Sequence, residues 1–148
     1  MCGIAGLIHR GKSSNVGSEL QQMLQALKHR GPDSTGYALY AENDGKNFIM
    51  RFKVGENVGE GSTSVNEDAS VYDERKKLVD QMLKELGANI VKDEKLTPYS
   101  YRYEMQFDKD LMELSKKIES INGVEILSIG KSLELIKDLG DAAAVSER

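Results

Sequence analysis

One cysteine, two prolines, two histidines and no tryptophan are found among the 148 residues. A single cysteine makes no internal disulfide and no multi-cysteine zinc site, so packing, chance or nucleophilic chemistry are the roles left to it. Two histidines, each followed by arginine, form no ligand set of recognisable spacing, and neither a metal nor a cofactor is expected. Long apolar runs are missing too, which leaves no credible membrane span. An N-terminal leader with a basic region, an apolar stretch and a small-residue cleavage site is equally absent, and a cytoplasmic location is the expectation. Positive charge is not in excess: the net charge is −4 and the basic residues are interspersed with acidic ones, which argues against a nucleic-acid partner.

What is present is the composition of a globular domain, 39% hydrophobic and 30% charged, in a chain long enough to bury a core. Two segments of different character follow one another, residues 1–45 and residues 46–148. In the first, Cys2 to Ile8 is a short apolar run with Gly3 and Gly6 spaced through it, which reads as a buried strand approached closely by other backbone. Leu20, Met23, Leu24 and Leu27 recur at helical spacing, with Ser18 or Asn15 available as a cap. Gly31-Pro32 stops that helix, Tyr37 to Tyr40 reads as a strand, and Asn43-Asp44-Gly45 supplies a tight turn into the alternating Phe48, Met50, Phe52 and Val54. A hairpin is expected there.

After a Gly/Ser-rich stretch (residues 55–70), Leu78, Val79, Met82, Leu83 and Leu86 form a helical stripe ended by Gly87. Ala88 to Val91 is a short strand, and Tyr99, Tyr101, Tyr103, Met105 and Phe107 alternate with polar residues as in a strand buried on one face. Asp108 caps a helix carrying Leu111, Leu114, Ile118 and Ile121, closed by Asn122-Gly123, and Val124 to Ile129 is another strand. The resulting order β-α-β-β-α-β is that of a ferredoxin-like module. Ser132 then caps a closing helix with Leu133, Ile136 and Leu139 inward. The fold class expected is α+β.

Removal of Met1 would leave Cys2 with a free α-amine and a thiol on one residue, and the amine, titrating near pH ~8, is placed to act as base for its own side chain. On spacing alone, a small buried cysteine at the start of a strand is the favoured reading. The Met1-Cys2-Gly3-Ile4-Ala5-Gly6 opening, followed after one helix by Leu27-Lys28-His29-Arg30-Gly31-Pro32-Asp33-Ser34-Thr35-Gly36, resembles the start of the class II, N-terminal-nucleophile (Ntn) glutamine amidotransferases. The run from Leu27 to Tyr40 resembles most the amidotransferase subunit of archaeal-type glutamate synthase.

This resemblance implies a partial Ntn-hydrolase-like segment in residues 1–45, followed in residues 46–148 by the inserted module and its closing helix. It implies glutamine as substrate, Cys2 as nucleophile, and Arg30 and Asp33 in a loop that orders the site or binds substrate; a salt-bridged turn is their plainer reading. His29 is expected to be structural. The family's downstream elements are a carboxylate-binding arginine on a His-x-Arg strand, an Asn-Gly oxyanion pair and an aspartate for the substrate amine. None is recognisable here: His9-Arg10 comes too early, and Asn122-Gly123 is explained as a C-cap turn. A second polypeptide completing the core, a synthase subunit that receives the ammonia, or a homo-oligomer is therefore expected as partner. The competing reading is a non-catalytic module for regulation, small-molecule binding or protein interaction.

Overall fold

The computed structural model describes residues 2–11, 15–30, 33–40, 45–55 and 69–147. Helix α1 (Val16–Ala26) leads through a single 3-10 turn (Lys28–Arg30) to strand β1 (Ser34–Tyr40) and strand β2 (Phe48–Lys53). Then come α2 (Ala69–Leu86), β3 (Asn89–Thr97), β4 (Ser100–Gln106), α3 (Leu111–Glu119), β5 (Glu125–Gly130), β6 (Leu133–Leu139) and α4 (Ala142–Ser146). The class is α+β. Two compact units divide the chain, residues 1–37 with 137–148, and residues 38–136.

In the second unit the strands lie in the order β3-β4-β2-β5, all neighbours antiparallel. With helices after its first and third strands, this is the split βαβ arrangement that the order of elements implies. Met50 faces Tyr103 and Phe52 faces Tyr101 across the β2–β4 ladder, so alternate residues of both strands share one side of the sheet. The Phe52 ring stacks on Tyr101 at 5.4 Å and meets Tyr103 edge-on at 4.9 Å. Tyr72, Val79 and Leu83 of α2 and Leu114 and Ile118 of α3 are the buried side chains of the two helices. Leu78 falls outside that stripe, 46% exposed. Gly87, at φ 87, ends α2 in the left-handed region as the Gly-terminated pattern requires, whereas α3 stops earlier than expected, at Glu119 with Ser120 as its cap, and Gly123, at φ 79, belongs to the turn before β5.

The opposite face of this sheet departs from simple alternation. Arg51 and Lys53 of β2 are buried although they point away from Met50 and Phe52. Arg51 donates through Nε to Glu134 at 2.7 Å, and Arg102 of β4 reaches the same carboxylate with Nε and an Nη at 2.9 and 3.0 Å. Arg102 also donates to Glu94 and Glu104 at 2.8 and 2.9 Å. The two arginines stay charged in this sheltered place because each has a carboxylate partner, and Lys53 Nζ lies 5.9 Å from the centre of the Tyr99 ring.

Several expectations are corrected. The stretch 133–139 is a strand, not a closing helix: Glu134, Ile136 and Asp138 turn inward while Leu135 and Lys137 are exposed, a two-residue alternation that the spacing of Leu133, Ile136 and Leu139 concealed. The helix that does close the chain is α4, capped by Asp141, whose carboxylate accepts the Ala144 N–H at 3.1 Å. No β1–β2 hairpin forms, because β1 pairs with β6 and β2 sits between β4 and β5. Asn43 and Asp44 of the expected turn lie outside the described residues; Gly45 has φ 75. Helix α3 is capped by Asp110, which accepts the Met112 N–H at 2.8 Å, and not by Asp108. Strand β3 runs on to Thr97, well past Val91.

The first unit is built around α1, the ladder end of β1 and β6, and α4. The Gly140 N–H donates to the Asp33 carbonyl at 3.2 Å, so the end of β6 meets the start of β1 and the two run antiparallel. Leu20, Leu24 and Leu27 are half-buried and Met23 is exposed; α1 starts at Asn15 without a side-chain cap bond. Cys2 to Ile8, expected as a buried strand, has no ladder partner among the described residues. Its side chains still alternate, Gly3, Ala5 and Leu7 half-buried, Ile4 and Ile8 at 93% and 92% exposure. A run apolar on both faces needs neighbours on both, and one face here has none in the described chain.

Candidate functional site

The first unit holds a cavity of ≈ 270 Å³ lined by its own residues. Cys2 and Gly3 come from the extended N-terminal segment, Leu24 and Leu27 from α1 and its cap, and Lys28 and Arg30 from the 3-10 turn. Asp33 to Gly36 enter from the start of β1, and Asp141 with Ala142 from the start of α4. The three residues singled out from the sequence, Cys2, Arg30 and Asp33, thus share one cavity. His29 does not line it.

Gly3 explains how the N-terminal segment comes so near the turn. A Cβ there would stand 3.2 Å from the Cβ atoms of both Leu27 and Arg30, tighter than ordinary packing, so only glycine fits without displacement. Gly6 meets nothing within 4 Å, so close approach is a property of the first glycine alone. The thiol of Cys2 is exposed, as a nucleophile must be to meet a substrate.

Lys28, Thr35 and Asp141, to which sequence reasoning assigned no site role, also line the cavity, and hydrogen bonds fix this side of it. Thr35 Oγ1 donates to the Gly140 carbonyl at 2.9 Å and the buried Tyr37 hydroxyl to the Ala142 carbonyl at 2.6 Å. Asp141 accepts from Lys28 Nζ at 2.8 Å and from Gln25 Nε2 at 3.3 Å. The Lys28 hydrogen bond, with the Ala144 N–H and Gln25 after it, holds the Asp141 carboxyl down to about 2. Burial, and then the Asp141 charge, push the Tyr37 hydroxyl up, so it remains a donor. A signal for Asp141 was available: Gly140-Asp141 before an alanine run is an N-cap pattern, obscured once residues 133–139 are taken as the helix.

Elsewhere in the first unit, His9 and Glu19 lie 2.9 Å apart. Asn122-Gly123 stands in the second unit between α3 and β5 as a turn. Among the described residues no helix is long and apolar enough to cross a membrane.

Comparison with known proteins finds similarity that includes the N-terminal segment lining the cavity. A protein of Methanothermobacter thermautotrophicus (strain Delta H), provisionally named a glutamine amidotransferase, is 32% identical over 156 residues, a match covering 100% of this chain. The chain spans 46% of the length of that relative. Residues 1–57 match the model of the glutamine amidotransferase domain, so the chain is similar to that domain over the whole segment that supplies Cys2, Gly3, Arg30 and Asp33.

Proposed function

We propose that this chain is the N-terminal part of a class II, Ntn-type glutamine amidotransferase that hydrolyses glutamine to glutamate and ammonia through a thioester on Cys2. The single observation that carries the reading is the cavity that the exposed Cys2 lines together with Arg30 and Asp33, inside the segment similar to the amidotransferase domain.

In the proposed reaction Met1 is first removed. The α-amine of Cys2 takes the thiol proton, and Sγ attacks the side-chain amide carbon of glutamine, giving a tetrahedral oxyanion. Collapse breaks the carbon–nitrogen bond, the nitrogen leaves as ammonia with the proton returned by the amine, and the γ-glutamyl thioester remains. Water then adds to the thioester carbon and expels the thiolate, releasing glutamate. Arg30 and Asp33 order the loop beside the nucleophile or hold the substrate. The ammonia passes to a synthase of the glutamate synthase type, and a second polypeptide or synthase subunit supplies the groups this chain lacks. An oxyanion donor alone is worth roughly 10²–10³ in rate, so this chain by itself is expected to be a weak glutaminase.

The test is the intact mass of the purified chain before and after a diazoketone analogue of glutamine. A mass lacking Met1 plus a single adduct that maps to Cys2 and is lost in Cys2→Ala is the expected result. A chain that keeps Met1, or that stays unlabelled alone and with the polypeptide corresponding to the rest of the relative, would sink the proposal and leave a non-catalytic interaction module.

A further inference from the structure

Every charged side chain that lines the Cys2 cavity belongs to two short stretches: Lys28, Arg30 and Asp33 around the 3-10 turn, and Asp141 before α4. Their formal charges cancel. Lys28 and Asp141 cancel as a direct ion pair of 2.8 Å, with Gln25 on the same carboxylate oxygen, whereas the other carboxylate oxygen is taken by the Ala144 N–H. The pair is therefore fixed at both ends, by the turn and by the cap of α4, and both partners line the cavity that Cys2 lines. A sphere of ≈ 270 Å³ is about 8 Å across, well within the roughly 30 Å Debye length of 0.01 M salt, so at low salt a unit charge uncovered on this wall reaches the thiol with little ionic screening.

We infer that Lys28 and Asp141 are a positioning pair that sets the charge presented to Cys2, Asp141 muting the Lys28 ammonium so that the cavity stays neutral around the nucleophile. The inference deepens the reading of Cys2 as the reactive group and rests on it for its biological meaning. Its physical content is separate: the two residues act on the same thiol with opposite sign. A merely structural bridge, tying the turn to α4, predicts the reverse, since breaking a tie from either side disturbs the site in the same direction.

The test uses the whole chain and iodoacetamide, which reads the single thiol whether or not glutamine is hydrolysed. Alkylation is followed by mass against pH at low salt in the parent chain, D141N, K28M and the double variant. Asn at 141 retains an oxygen for the Ala144 N–H, so the cap survives while the charge goes. D141N leaves one net positive charge at the cavity and is expected to move the half-maximal pH down by about half a unit, roughly threefold faster alkylation near neutrality. K28M leaves one net negative charge and is expected to move it up by about as much. The double variant returns to the parent profile, and in 1 M salt, where the Debye length is about 3 Å, all four profiles draw together. Shifts of the same sign in both single variants, or none in either, overturn the inference. Opposite shifts in a chain that the glutamine analogue never labels would uphold it and reject the amidotransferase reading, so the two fail separately.

Discussion

At the scale of single residues, the opening of the chain is governed by one missing side chain. Gly3 lets the backbone after Cys2 lie against Leu27 and Arg30, at a distance where a methyl group already crowds both at 3.2 Å. Gly3→Ala is expected to lower stability by about 1 kcal/mol through overpacking, while Gly6→Ala, with nothing within 4 Å, stays within roughly 0.5 kcal/mol of the parent. Paired thermal melts check this, and equal effects from the two substitutions would mean that the close approach at Gly3 is not maintained in solution. The same contact implies that Gly3→Val slows labelling of Cys2 more than it lowers the melting temperature, since the displaced residue is adjacent to the thiol.

At the scale of elements, β6 shows most clearly how charge can decide which face of a segment is inside. Glu134 closes a four-partner network on the outer face of the second unit's sheet. Burial raises its carboxyl, but the hydrogen bonds from Arg102 and Arg51 outweigh that and hold it low. The Glu134 hydrogen bond, against burial, likewise raises Arg102. Removing the charge without changing the shape, Glu134→Gln, leaves two sheltered guanidinium groups under-paired and is expected to cost about 2 kcal/mol. Tyr103→Phe, which loses only the 2.6 Å hydrogen bond to Asp80, is expected to cost about 1 kcal/mol. Chemical denaturation of both variants separates the two cases, and a neutral Glu134→Gln would show the network to be solvated.

What could be read in advance follows from the same contrast. The alternation Tyr99 to Met105 and the stripe Leu111, Leu114, Ile118 were legible because apolar side chains there mark the inside. Residues 133–139 were not, because two of their inward positions are the carboxylates Glu134 and Asp138, and the arginine partners of Glu134 lie 32 and 83 residues away in sequence. Cys2, Arg30 and Asp33 were legible as a group through two short motifs, whereas Lys28, Thr35 and Asp141 become part of the cavity only by folding. The Cys2–Ile8 strand failed for the opposite reason: the pattern is strand-like, and the described chain supplies no neighbour for it to pair with.

At the scale of the whole molecule, acid provides the broadest test. Three carboxyls lie below their ordinary values: Asp141 through Lys28, Glu94 through Lys92 and Arg102, and Glu134 through Arg102 and Arg51 against its burial. Each is lower in the folded than in the unfolded state, so the unfolded chain binds more protons as pH falls, and stability drops with it. The contribution is complete above the ordinary values of 4.5 for the glutamates and 3.8 for Asp141, and for Asp141 it is lost as pH falls toward about 2. Melting temperatures level from pH 7 to 5 and falling steadily below pH 4.5 are the expected outcome. In Glu134→Gln the fall should be shallower, and an unchanged slope would remove Glu134 from the acid-sensitive set.

The pairing of β1 with β6 has one more consequence. The backbone departs along Ser34–Tyr40 and comes back along Leu133–Leu139, its neighbour in the same ladder. To that ladder, residues 41–132 are the connection between two adjacent strands, and the entropy of closing a connection grows only logarithmically, by about 0.6 kcal/mol for each doubling of its length. An insertion between Tyr40 and Leu133 that leaves the core of the second unit intact therefore taxes the ladder very little, so the chain can lengthen there with small penalty to the segments that carry Cys2.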